Sequence, residues 1–319
     1  MKHYIGIDLG GTNIAIGIVD ENKQIIIKKS IPTACPRSAE EIVDDIVKTI
    51  YELCKKTNLS INNVEWIGIG SPGSVNSETG VVERAHNLGF FNTPLKDLLL
   101  ERLPVKCYAE NDANAAAYGE FLAGSANGAT NAVCVTIGTG IGGGIIINGK
   151  IYSGSNFFGA ELGHTVIEMN GIECNCGRKG CMERYCSATA LIEQTKASMK
   201  QNPDSTMWDE CKGNIKAVNG RTAFDAMKCG DSAAKKVVDE YITYLACGCT
   251  NLINIFQPDV LIIGGGVSKE GETLLKPLRA IISKESFDRN PDNATKILAA
   301  SLGNDAGIIG AAMLGLLHD

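Results

Sequence analysis

The chain runs to 319 residues, 44% hydrophobic and 21% charged, with a formal net charge of −6 and 12 cysteines. That length and balance suit one large or two medium globular domains and argue against the basic footprint of a nucleic-acid binder. No apolar run approaches the ~18 residues of a membrane-crossing helix, and Asp8 falls where a secretory leader needs an apolar stretch. A cytoplasmic protein with reduced thiols and small-molecule partners, and neither membrane nor nucleic acid among them, is therefore expected.

Residues 4–8, 14–19 and 25–31 are β-rich runs separated by Gly-Gly and Asp-Glu-Asn turns, which predicts an opening meander. Ser38 and Glu41 form a capping box, and Ile42, Ile46, Ile50 and Cys54 recur at helical spacing, so a helix follows. Residues 66–70 predict a buried strand ending in the Ser71-Pro72-Gly73 loop, and 105–109 another running into Glu110-Asn111-Asp112. An alanine-rich helix over 113–122 precedes a small, polar stretch, 124–129, that reads as a linker, with a domain boundary just before it.

In the second half an apolar strand, 132–137, enters the glycine run 138–144; a strand at 145–147 follows, and Asn148-Gly149 signals a two-residue hairpin. A long amphipathic stretch over 231–256 carries Val237, Val238, Tyr241, Leu245, Cys249, Leu252 and Phe256 on one side, a core stripe rather than a cofactor box. Residues 260–263 form a strand feeding Gly264-Gly265-Gly266, and 305–317 form a closing helix.

Asp8-Leu9-Gly10-Gly11-Thr12-Asn13 and Gly138-Thr139-Gly140-Ile141-Gly142-Gly143-Gly144 are strand-turn-strand elements whose glycines let backbone N–H groups approach an oxyanion unobstructed. Singly, each is more simply a tight turn. As a pair they suit one phosphate chain gripped from two sides, with Thr12 and Thr139 adding hydroxyl donors and Asp8 placed to hold Mg²⁺ through water. Neither matches G-x-G-x-x-G before a helix or G-x-x-x-x-G-K-[ST], so a Rossmann dehydrogenase and a P-loop ATPase fit poorly. Gly265 either lets an adenosine lie on bare backbone or belongs to an ordinary strand-to-helix turn. Asp112 sits past a strand's carboxyl end, where open α/β sheets place ligands; it caps the next helix, acts as a base, or does both.

His164, Cys174, Cys176 and Cys181 stand in a H-x9-C-x-C-x4-C spacing that one loop folds around a tetrahedral Zn²⁺, with Gly177 and Gly180 at the bends. The plainer alternative is a set of ordinary reduced thiols, and Cys186 is a nearby spare ligand. A closed Cys3His shell orders its loop instead of activating water, which leaves the chemistry to Glu161, His164 and Glu183.

Taken together, these two glycine turns, Glu110-Asn111-Asp112, Glu161-Leu162-Gly163-His164 and Cys174-x-Cys176-Gly-x-x-Gly-Cys181-x-Glu183 resemble the ROK family (repressor, open reading frame, kinase), its bacterial glucokinases especially, over nearly the whole chain. The resemblance implies an α/β, two-lobed actin-like ATPase (ribonuclease H-like) fold with the sugar bound in the cleft between lobes. Residues 1–123 would form the smaller lobe, with the closing helix 305–319 returning to it, and 124–304 the larger lobe carrying the zinc loop. It further implies Asp112 as catalytic base, with Gly73, Asn111, Glu161, His164 and Glu183 joining it around the sugar, and His164, Cys174, Cys176 and Cys181 on structural Zn²⁺.

The activity implied is ATP-dependent phosphorylation of a hexose at its C6 hydroxyl, glucose first, by a homodimer. The run Asn87-Leu88-Gly89-Phe90-Phe91 has Phe where many relatives carry Trp near the sugar. N-acetylglucosamine, N-acetylmannosamine, mannose and allose therefore stay in contention, and polyphosphate competes with ATP as donor. A sugar-sensing regulator is the remaining alternative. It needs a DNA-binding segment, and Tyr4 already begins the first strand.

Overall fold

The structure, a computed structural model, describes residues 2–318. The chain opens with strands β1 (His3–Leu9), β2 (Asn13–Asp20) and β3 (Ile25–Pro32), then helix α1 (Ala39–Thr57) and β4 (Val64–Ser71). A small meander of β5 (Ser74–Asn76), β6 (Val81–Ala85) and β7 (Phe90–Thr93) leads through α2 (Leu95–Leu100) to β8 (Cys107–Asn111) and α3 (Asp112–Ala123). Strands β9 (Ala132–Ile137), β10 (Ile141–Ile147) and β11 (Lys150–Ile151) follow, and after the cysteine-rich loop come α4 (Glu183–Cys186), α5 (Ala188–Gln201), α6 (Met207–Glu210) and α7 (Thr222–Lys228). The chain ends with α8 (Ser232–Phe256), β12 (Val260–Gly265), α9 (Glu272–Glu285), β13 (Lys296–Ala299) and α10 (Ala306–Ala312). It divides into two compact units: one holds residues up to Asn131, Gly144–Ala160 and the chain from Ser301 onward, the other Ala132–Gly143 and Glu161–Ala300.

The first unit is built on a sheet of order β3-β2-β1-β4-β8, antiparallel among β1, β2 and β3 and parallel from β1 through β4 to β8. Alternate residues of β1 and β4 face opposite sides. Ile5, Ile7, Ile67 and Ile69 share a core with Ile42, Ile46 and Ile50 of α1, whose start is locked by the Ser38–Glu41 capping box. The intervening Gly6 and Gly68 face α10, where an added Cβ would overlap the carbonyls of Ile308 and Ala311. Helix α10 thus lies directly on bare backbone, and Trp66 Nε1 donates to Ala312 O at 2.7 Å. In the second unit β12 pairs in parallel with β9 and β13, and α8 buries Val237, Val238, Tyr241, Leu245, Cys249 and Leu252 as the apolar stripe predicts.

Several expectations shift. The strand placed at 145–147 begins at Ile141, so Gly142, Gly143 and Gly144 are strand residues and the turn is confined to 138–140. A Cβ at Gly143 would overlap the Leu162 side chain, which is why small residues fill this strand. The stretch 124–129, read as a linker, stays with α3 because the N–H groups of Gly124 and Ala126 donate to Glu120 O and that of Ser125 to the Glu120 carboxylate. The closing helix is regular only to Ala312, with a 3₁₀ turn at Leu314–Leu317.

Candidate active site

In the first unit the parallel register sets Asp8 beside Gly70, Gly70 beside Glu110 and Ser71 beside Asn111, so β1, β4 and β8 end at one edge. That is the edge at which α/β sheets place ligands. Asn111 is the N-cap of α3: its Oδ1 accepts from Asn114 N–H at 3.0 Å, while its Nδ2 donates to Gly73 O at 2.9 Å. Gly73 has φ +83°, and a Cβ there would overlap Arg84 O, so the loop requires glycine. Asp112 is the first residue of α3, and its Oδ1 accepts from Ala113 N–H at 2.8 Å. The sequence had not singled out Glu110 as a site residue. It is buried beneath this cap and accepts from Asn111 N–H at 2.8 Å and Asn114 Nδ2 at 3.0 Å, and burial holds its carboxyl above the usual range.

Asp8, the last residue but one of β1, lies against the backbone of Gly307, where a Cβ would stand 2.6 Å from its carboxylate. Burial, and then repulsion by Asp112, push its pKa up to about 6. The turn that follows closes with Gly10 N–H on Asn13 O at 2.9 Å. Fully buried Thr33 backs it, donating its N–H to Thr12 O at 2.8 Å and its hydroxyl to Gly10 O at 2.6 Å. Asn87 packs against Gly11, so the Asn87–Phe91 run reaches this turn, with Phe90 in the core and Phe91 exposed.

In the second unit the turn after β9 closes with Gly138 N–H on Gly140 O at 2.9 Å. Gly265 pairs with Ile137 and has φ +84°, and Gly266 N–H donates to Ile137 O at 3.0 Å, so the later glycines lie beside this turn. The Glu161-Leu162-Gly163-His164 run packs here too. Leu162 is buried under Gly143, Gly163 lies on the Ile141 backbone, and exposed Glu161 and half-buried His164 flank them. Glu183, at the start of α4, accepts Ile141 N–H on Oε2 at 2.9 Å. A cavity of about 960 Å³ between α8, α9 and the approach to β13 lies at the amino ends of β12 and β13, away from Gly265, and holds none of these residues.

His164, Cys174, Cys176 and Cys181 converge, with all four donor atoms within 4.8 Å of one another. Cys174 Sγ lies 3.7 Å from His164 Nδ1, and Cys176 Sγ lies 3.6 Å from Cys181 Sγ. Bonds of about 2.0–2.3 Å to a tetrahedral zinc separate ligand atoms by close to these distances, so the donor set fits. The Arg178 backbone N–H draws the Cys176 thiol below its usual pKa, while burial and neighbouring thiols push Cys181 up to about 12. Cys186 falls outside the group: it is buried in α4, and Tyr241 donates its hydroxyl to the Cys186 carbonyl at 2.8 Å.

An acidic cap and a glycine turn at the strand ends of the first unit, and a glycine turn and a Cys3His loop in the second, define the class. The ROK family model matches residues 4–317, and the chain belongs to the ROK family. It is 37% identical over 315 residues to a glucokinase of Halalkalibacterium halodurans, covering 98% of this chain and 94% of that one. It is also 37% identical over 311 residues to a glucokinase of Thermotoga maritima, at 97% and 96% coverage. A crystal structure of a ROK family glucokinase from Streptomyces griseus, in complex with glucose and AMPPNP, matches with TM-score 0.80 and 36% identity over 98% of each chain. The fold is the actin-like ATPase fold of the ROK sugar kinases.

Proposed function

We propose that the chain is an ATP- and Mg²⁺-dependent glucokinase that transfers the terminal phosphoryl group of ATP to the C6 hydroxyl of glucose. The observation that carries this is Asp112, held at the head of α3 by the Asn111 cap, in a chain 37% identical to two glucokinases. Asp112 takes the hydroxyl proton. Phosphoryl transfer demands little proton abstraction until late, so an ordinary carboxylate suffices if it orients the attacking oxygen. The roles assigned to Gly73, Asn111, Glu161, His164 and Glu183 are hydrogen bonds to the other hydroxyls.

Backbone N–H groups of Gly11, Asn13 and Gly140, with the hydroxyls and N–H groups of Thr12 and Thr139, take the phosphate oxygens; Gly10 and Gly138, whose own N–H groups close the turns, contribute by carrying no side chain there, and Gly265 meets the adenosine. Asp8 would hold Mg²⁺, which would supply neutralising charge for the transferring group. Asp8, whose carboxylate is made costlier to ionise by burial and then by the neighbouring Asp112, supports a cation there. Structural Zn²⁺ on His164 Nδ1, Cys174, Cys176 and Cys181 would order the loop and leave His164 Nε2 for the sugar. The same reading takes the protein as a homodimer, and twelve cysteines without a disulfide support a cytoplasmic home.

The test is purified protein with ATP, Mg²⁺ and each of glucose, mannose, allose, N-acetylglucosamine and N-acetylmannosamine, ranked by kcat/KM. Glucose should lead, polyphosphate should fail to replace ATP, and elemental analysis should find roughly one zinc per chain. Asp112→Asn should lower glucose phosphorylation by ~10²-fold or more, and near-normal turnover would remove Asp112 as base.

A further inference from the structure

The turn after β9 is held from behind by the segment that leaves the cysteine loop. Ile141 N–H donates to Glu183 Oε2 at 2.9 Å, Ala188 N–H donates to Gly138 O at 2.9 Å, and the Thr189 hydroxyl donates to Thr139 O at 2.7 Å. Thr189 is the second residue of α5, whose N-cap is supplied by Ser187, so its hydroxyl is not spent on the helix. A trans peptide points its carbonyl and the next N–H in opposite directions. Drawing the carbonyls of Gly138 and Thr139 back onto α5 therefore turns the N–H groups of Thr139 and Gly140 the other way, side by side. Two successive N–H groups on one side of a turn form a concave anion site.

We propose that Thr189 is a positioning residue of the nucleotide site, its hydroxyl setting the Thr139–Gly140 peptide so that both N–H groups face the polyphosphate of the nucleotide. The assignment rests on the kinase reading for its substrate, though not for its geometry. Glu183 and Ala188 hold the two flanks of the turn, and Thr189 reaches its middle carbonyl. Valine has the shape of threonine and a similar helix propensity, so Thr189→Val removes the hydrogen bond and little else. Thr189 is also only half-buried, which spares the fold.

Thr189→Val should raise the KM for ATP about fivefold to tenfold, the worth of one hydrogen bond that orients an anion site. The KM for glucose should stay within twofold, and Thr189→Ser should restore the ATP value. An ATP KM within twofold of wild type, a glucose KM rising in proportion, or a serine variant as weak as the valine would each overturn the assignment. Titration with AMPPNP in the absence of sugar separates this from the reaction itself. If wild-type protein binds AMPPNP several-fold better than Thr189→Val yet phosphorylates no hexose, the brace holds and the kinase reading fails. Equal AMPPNP affinities in an active enzyme would sink the brace alone.

Discussion

The two glycine turns do the same geometric job with different supports. The turn at Gly10–Asn13 is braced by Thr33, a fully buried residue at the end of a neighbouring strand. The turn at Gly138–Gly140 is braced across gaps of 42 and 50 residues by Glu183, which begins the short helix α4 after the Cys3His loop, and Thr189 of α5. One turn belongs to the core of its unit. The other hangs on side chains that the cysteine loop delivers, and one of them, Glu183, is also a proposed sugar contact. A support made of core should fail through stability, and one made of half-exposed side chains should fail through function.

Small changes at equivalent glycines break this comparison most strongly. A Cβ at Gly140 would overlap the Glu183 carboxylate, the far end of a flexible side chain. The fold has an easy escape, because Glu183 swings aside and gives up Ile141 N–H. A Cβ at Gly11 meets Asn87 Nδ2 at 3.0 Å, which needs only a few tenths of an ångström of give. Gly140→Ala should therefore lower kcat/KM by about 10²-fold with little change in Tm, since a misplacement near 1 Å is that damaging. Gly11→Ala should cost less than about tenfold. Equal losses in the two variants, or a Tm collapse in Gly140→Ala, would contradict the asymmetry.

Acid and base behaviour sharpens it next. Asp8 lies at the head of the first turn with its pKa raised from 3.8 to about 6 by burial and then by Asp112. A raised folded-state pKa favours the protonated form. The stability it contributes is present below the unfolded value and lost as pH rises through 6. Without nucleotide or Mg²⁺, Asp8→Asn should thus be more stable than wild type above pH 6, by up to about 3 kcal/mol, with the gap closing towards pH 4. If Asp8 holds Mg²⁺ as proposed, its carboxylate is needed for that, so wild-type KM for MgATP should climb as pH falls through 6, while Asp8→Asn stays weak and flat. Thermal melts at pH 4 and 8, with KM measured across the same range, read both effects.

What was legible follows from how each feature is encoded. The convergence of His164, Cys174, Cys176 and Cys181 was readable because side chains gathered by one loop keep tight spacing, and the glycine turns because missing side chains leave a local signature. The start of β10 was misread for the same reason: Gly142 to Gly144 look like turn and are strand, with Leu162 packed over Gly143 and Ala117 over Gly144. Strands β5 to β7 are short and partly polar, and Pro277 inside α9 masks a helix. Thr33 and Thr189 carried no signal at all. Each is a lone threonine with no spacing relation to the turn it supports, and only the folded chain brings hydroxyl and carbonyl together.

That pair also supplies the finest comparison. Thr33→Val removes a 2.6 Å hydrogen bond from a fully buried site, leaving Gly10 O without that donor, so a loss of about 1–2 kcal/mol of stability is expected. The turn itself keeps two backbone bonds, Gly10 N–H to Asn13 O and Thr33 N–H to Thr12 O, neither of which depends on the hydroxyl. Its N–H groups should barely turn, and the ATP KM should change less than about threefold. Thr189→Val should behave the other way round, with an altered KM at nearly unchanged Tm. Denaturant melts and ATP titrations on the two valine variants form a crossed pair of measurements. If Thr33→Val raised the ATP KM as much as Thr189→Val while melting like wild type, the two turns would share one kind of support, and the distinction drawn from their hydrogen bonds would be wrong.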